Sequence, residues 1–253
     1  MVKVVLLGAG NLAYHLTHHM LNSTTIQLIQ VYNRSIEKIE YLKNDVSITN
    51  NLNQLKEADI YIICVSDAVI SELSSHLNFP TKLVVHTSGA TSVNDLKSNS
   101  EKGVLYFPQS FSKDKKIDFN TLPVCIESTS KNGFSLLKNF SKEFSKNTYL
   151  INSDQRKTIH LAAVFVNNFV NHLFYNAEQI CNKQAIPFEI LQPLIMETVT
   201  KLEKISVYDA QTGPAKRNDT NTINNHKALL TNTQLEIYTL LTKSIQETYG
   251  KKL

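Results

Sequence analysis

The residues Gly8-Ala9-Gly10-Asn11-Leu12-Ala13 fit the spacing G-x-G-x-x-G/A. The first glycine permits a tight turn out of a strand. The second removes a side chain where a pyrophosphate would approach, and the alanine lets helix and strand pack closely. The N–H groups at the start of the helix would then face the phosphates, which makes Gly8, Gly10, Asn11 and Leu12 the expected contacts. The same letters also suit a glycine-rich turn with no ligand. Here, however, the motif closes an apolar run and opens a helical one, which is the context dinucleotide binding requires.

A carboxylate is expected about 20 residues later to hold the ribose of NAD. The corresponding strand tip instead reads Asn33-Arg34-Ser35. A guanidinium and a hydroxyl suit a dianionic 2′-phosphate, so the expected cofactor is NADP. The alternative is that Arg34 is a solvated residue at a helix start and Ser35 its cap. Two further strand ends carry small or hydroxyl residues, Val65-Ser66-Asp67 and His86-Thr87-Ser88-Gly89. Ligands of parallel sheets lie outside the carboxyl ends of strands, so Val65, Ser66, His86 and Ser88 are candidate contacts to the nicotinamide half. His86 could equally be a capping or packing histidine, and Asp67 a helix cap.

In the second half, His160, Asn167, Asn168 and Asn171 fall at i, i+7, i+8 and i+11, which is one face of a regular helix. Amides buried among Leu161, Phe165 and Phe169 would need partners in backbone, water or ligand. His160 is the titratable residue of that stripe able to move a proton near neutral pH. Thr212-Gly213-Pro214 predicts a tight turn with unusual φ at Gly213. Beyond it, Arg217 could hold a substrate carboxylate bidentately or pair with Asp219 or Glu197. Asp219 is placed to cap the helix that carries His226.

These residues need elements to hold them. Val2–Leu7, Ile26–Tyr32, Asp59–Val65 and Leu83–His86 are short apolar runs separated by helical patterns, the mark of βαβ units and a parallel sheet. Val104–Phe107 and Pro123–Ile126 could extend it. From residue 153 onward the pattern is helical throughout. The expected architecture is an α/β Rossmann-like domain over residues 1–152 and an all-α domain over 153–253. Helices as apolar as those around Phe174, Leu191 and Ile195 exceed what a domain of about 100 residues can cover alone, which predicts a homodimer through the helical half.

Composition narrows the function classes. The 253 residues are 42% hydrophobic, enough for a core, and the net charge of +4 is spread along the chain. Nucleic acid and anionic membrane are therefore not expected partners. Cys64, Cys125 and Cys181 lie far apart without a C-x-x-C pair, which excludes a zinc ribbon and leaves a reducing, cytoplasmic setting as the default. No apolar stretch approaches 18 residues, and the first residues are too short for a signal-peptide core.

The motifs Gly8–Ala13 and Asn33-Arg34-Ser35 together resemble the cofactor domain of pyrroline-5-carboxylate reductases and of the 6-phosphogluconate and β-hydroxyacid dehydrogenase group. The stretches His160–Phe169, Pro193–Thr198 and Gln211–Asp219 with His226 resemble a helical family known as domain of unknown function 2520, which follows a Rossmann-like domain in oxidoreductases. Members commonly carry a glycine where this chain has Asn218. The resemblance implies a nicotinamide cofactor and a small-molecule substrate. β-Hydroxyacid dehydrogenases place a proton-transferring lysine and an orienting asparagine on an equivalent helix. This chain has no lysine there, so His160 is the expected acid or base and Asn168 the orienting amide. Two functions follow. One is an NADP-dependent oxidoreductase acting on a small carbonyl, imine or hydroxy compound at a cleft between the domains. The other is an NADP-binding sensor or scaffold without turnover, favoured by the missing lysine.

Overall fold

A computed structural model describes residues 1–250. Eight strands form one sheet: β1 (Val2–Leu7), β2 (Ile26–Tyr32), β3 (Ser47–Thr49), β4 (Ile60–Ile63), β5 (Leu83–His86), β6 (Glu101–Tyr106), β7 (Val124–Ser128) and β8 (Thr148–Leu150). Their spatial order is β3-β2-β1-β4-β5-β6-β7-β8. Every neighbouring pair is parallel except β6–β7, which is antiparallel. The fold is thus the expected α/β Rossmann-like region followed by helices. The order changes direction beside β1, which opens the ligand crevice beyond the strands' carboxyl ends.

Alternation along the strands explains the two-sided core. Val4 and Leu6 of β1 point to one face, where they meet Ala13, Leu16 and Met20 of α1 (Asn11–Leu21) and Leu137 and Phe140 of α3 (Lys131–Ser141). Val5 and Leu7 point to the other, against Ile70 and Leu73 of α2 (Asp67–Ser75). Because both faces are covered, the central strands read as unbroken apolar runs. Between β2 and β3, where the sequence has a helical pattern, the chain forms two short 3₁₀ turns, Ile36–Lys38 and Glu40–Leu42.

The chain divides into two compact units, Met1–Asn167 and Asn168–Leu253. The expected boundary lay at 152/153, where strand patterning ends. The first half of the long helix, α4 (Ser153–Ala163), instead goes with the sheet. Its Arg156, 1% exposed, pairs with Glu127 of β7 and donates to the Thr91 carbonyl. Ser153 accepts from the Val93 N–H and donates to Glu127.

Past α4 the backbone is π-helical over Val164–Phe169 before α5 (Val170–Asn182) resumes regular winding. The second unit continues with α6 (Gln192–Thr200), α7 (Thr220–Ala228) and α8 (Asn232–Tyr249). Asp219 caps α7 as expected, accepting from the Thr222 N–H at 3.0 Å. Gly213 has φ +106° and Asn218 φ +54°. The latter is the left-handed conformation that favours glycine and tolerates asparagine, so Asn218 fits a position where the resemblance implies glycine.

Candidate functional site

The glycine turn is built by close approach. Gly8 has φ +135°, and a Cβ there would lie 2.0 Å from the Cys64 carbonyl oxygen at the end of β4. A Cβ at Gly10, by contrast, would meet nothing within 4 Å. Its bareness leaves open space rather than relieving a protein contact. Gly10 caps α1 in extended conformation, without a side-chain cap bond and with no acidic residue in the first turn. The N–H groups of that turn and the positive end of the helix dipole are left to an anion.

These residues line a cavity of about 730 Å³. One part of its wall is Gly8–Leu12 with Asn33, Arg34 and Lys38; another is Val65, Ser66 and α2 residues; a third is Thr87, Ser88, Gly89, Tyr106 and His160. Every lining residue belongs to the first unit. Asn33 secures the β2 tip by donating through Nδ2 to the Ser35 carbonyl at 2.7 Å. The loop after β6 is tied to α1, since Asn11 Nδ2 donates to the Phe111 carbonyl and His15 Nε2 to that of Ser112, both at 2.8 Å. Asn11 thus spends one side-chain N–H on the loop, and its backbone N–H faces the site of a phosphate. Phe111 and Gln109 of that loop complete the wall.

Several expectations change. His86 does not line the cavity; it is fully buried, with Nδ1 accepting from the Ser88 N–H at 3.1 Å and Nε2 without a partner. Burial first, and the Arg156 charge second, push its pKa down to about 4. It is a packing histidine that shapes the Ser88 turn. A pKa below the unfolded value of about 6.5 means that the unfolded chain takes up the proton first. His86 therefore favours folding above pH 6.5, and that contribution is lost as the pH falls from 6.5 towards 4. Unfolding measured across this range should show stability falling by on the order of 3 kcal/mol, with a shallower fall in His86→Gln. Equal slopes would refute the assignment.

Ser35 also lies outside the lining, and its side chain makes no cap bond. The amide stripe presupposed a buried helix of regular spacing. Asn167, Asn168 and Asn171 are exposed, and the π-helical turn breaks the register between His160 and Asn168. Asn168 and Arg217 belong to the second unit and are not among the lining residues. Lys38, Tyr106 and Gln109, which also line the cavity, were not singled out by the sequence. Tyr106 was within reach of the strand-end rule, since it closes β6.

A Rossmann-like sheet with an uncapped glycine turn at its switch point is the architecture of dinucleotide-binding proteins. Two family profiles agree: the NADP oxidoreductase, coenzyme F420-dependent, over residues 3–89, and the domain of unknown function 2520 over residues 122–245. A Bacteroides fragilis protein assigned as an NADP oxidoreductase is 35% identical, with 97% of this chain and 98% of that chain covered and a TM-score of 0.88. The chain belongs to this family of NADP oxidoreductases, in which a Rossmann-like region precedes the domain of unknown function 2520. The fold is shared with a reductive aminase from Aspergillus terreus in complex with NADPH and ethyl-5-oxohexanoate (13% identity, 99% and 96% coverage, TM-score 0.74). It is shared also with 1-pyrroline-5-carboxylate reductase from Streptococcus pyogenes (14%, 99% and 97%, 0.64). No curated protein matches the sequence.

Proposed function

We propose that this protein is an NADPH-dependent reductase of small carbonyl or imine compounds, or the corresponding hydroxy-compound dehydrogenase. The observation that supports this most is that one cavity is lined both by the anion-ready turn with Arg34 and Lys38 and by Tyr106 and His160. The open space at Gly10 and the uncapped α1 terminus fit a pyrophosphate. The reductive aminase, which has the same fold and holds NADPH, adds support. Bound here, the nicotinamide would supply the hydride. Arg34 and Lys38 would hold the 2′-phosphate as charge-assisted donors. Val65, Ser66, Thr87 and Ser88 would line the nicotinamide half, and His160 would exchange a proton with the substrate heteroatom. On the sequence alone, Asn168 is added as the orienting amide and Arg217 as the holder of a substrate carboxylate.

Titration calorimetry tests the cofactor assignment. NADPH should bind more tightly than NADH, and Arg34→Ala should weaken NADPH roughly tenfold or more, from the loss of about 1.5–3 kcal/mol, while sparing NADH. Equal affinities of the unaltered protein for the two would overturn it. Preferential NADPH binding without turnover of any small carbonyl, imine or alcohol would favour the sensor or scaffold, a role in keeping with the missing helix lysine.

The proposed assembly is a homodimer through the helical unit. Among its described residues only Ala210, Ala215, Ile223 and Thr242 are buried, whereas Leu229 and Val207 are 76% and 72% exposed and Ile190, Leu194 and Leu240 are similarly bare. Apolar surface on this scale marks an interface. Light scattering at micromolar concentration should give twice the chain mass; a monomer would refute the dimer. No described helix is long and apolar enough to cross a membrane.

A further inference from the structure

His160 does not stand alone in the cavity wall. The Tyr106 hydroxyl lies 3.4 Å from its Nδ1, with ring centroids 6.2 Å apart and planes at 74°. Gly89, three residues beyond β5, completes the contact. A Cβ there would lie 2.6 Å from His160 Nδ1 and 2.9 Å from Tyr106 Cε2. Gly89 is not among the glycines with positive φ, so its backbone does not demand glycine. The two rings do. Arg156, one turn earlier on α4, is tied to Glu127 and the Thr91 carbonyl. The loop after β5, the end of β6 and an anchored helix thus converge on one ring pair.

We propose that Tyr106 is the positioning residue of His160. Its hydroxyl oxygen accepts from Nδ1–H, which keeps the proton of the neutral ring on Nδ1 and leaves Nε2 free for the substrate. This rests on the reading of His160 as the proton-transfer group. The long apo distance is one that catalytic hydrogen bonds show before they tighten on ligand. The partner of one ring nitrogen sets the tautomer at the other. A phenol oxygen serves both protonation states, since it accepts from Nδ1–H of the neutral ring and of the imidazolium alike. When the imidazolium gives its Nε2 proton to a substrate heteroatom, the N–H bond breaks and the new bond to hydrogen forms on the substrate. The ring is left neutral with its remaining proton on Nδ1, held by the phenol oxygen. Tyr106 gains and loses no proton; its oxygen accepts from Nδ1–H throughout. Burial raises the Tyr106 pKa, which keeps the phenol intact.

Nitrogen NMR of histidine-labelled protein, with the His160 signals identified by their loss in His160→Gln, tests this without a substrate. Above the pKa of the ring, Nδ1 should carry the proton and Nε2 the downfield signal of a bare ring nitrogen. Tyr106→Phe should move the proton of the neutral ring towards Nε2. It should also lower turnover roughly tenfold, the worth of one lost hydrogen bond, mostly in kcat rather than KM. Gly89→Ala, whose methyl group separates the rings without backbone strain, should change the Nδ1 signal in the same way and decides the matter if Tyr106→Phe does not fold. Unchanged His160 signals in the folded variant would overturn the proposal. Full turnover in His160→Gln would overturn the proton-transfer reading instead, whatever the spectra show.

Discussion

Replacing His160 by alanine is expected to lower turnover by on the order of 10²–10⁴-fold while leaving NADPH affinity nearly unchanged. The split follows from where the parts of the cavity lie in the sequence. The anion-binding groups are the turn at Gly8–Leu12 and the cations Arg34 and Lys38; His160 comes from α4. A proton that must reach the substrate heteroatom as hydride arrives cannot be supplied efficiently by water, and the imidazole is the group on α4 that can give it near neutral pH. Loss of reduced-nicotinamide absorbance against a panel of small carbonyl and imine compounds gives the rate, and calorimetry gives the affinity. A variant that turns over at the full rate would remove His160 from the mechanism. Equal loss of rate and of NADPH binding would make it a structural residue.

Arg156→Met is expected to destabilise the first unit by about 3–5 kcal/mol, the largest stability effect foreseen for a single side chain here. The guanidinium is 1% exposed and Glu127 15%, so the ion pair is almost wholly removed from water. Methionine occupies similar volume but leaves the carboxylate with only the Ser153 hydroxyl and N–H. It also leaves the Thr91 carbonyl without its donor. A buried charge stripped of its counter-ion is far more costly than the pair is beneficial. Denaturant unfolding followed by circular dichroism measures the loss. Arg156→Met combined with Glu127→Gln should recover part of it, because the uncompensated charge is gone. A change under about 1 kcal/mol in the single variant would show that Glu127 is already solvated or protonated.

The central strands were legible in the sequence because a strand covered on both faces must be apolar at every position, as in Ile60–Ile63. The glycine turn was legible because its steric demands are local. What escaped were features set by distant partners. The three-residue strands β3 and β8 are too short to have a period. The reversal between β6 and β7 leaves no local trace, since an apolar run reads alike in either direction. The π-helical turn at Val164–Phe169 has no distinctive composition, yet it undoes the spacing on which the asparagine stripe depended. His86 was misplaced for a related reason. A histidine at a strand end reads identically whether it faces a ligand or turns inward beneath Ser88, and only packing decides. Tyr106 shows the converse: the strand-end rule applied to β4 and β5 needed only to be applied to β6.

The helical unit has four described residues withdrawn from water and many apolar side chains turned outward. If a second copy supplies the missing cover, dilution acts on this half as a denaturant. Its melting temperature should then rise with protein concentration, because folding and association become one equilibrium. Abundance in the cell would thus govern shape as well as amount.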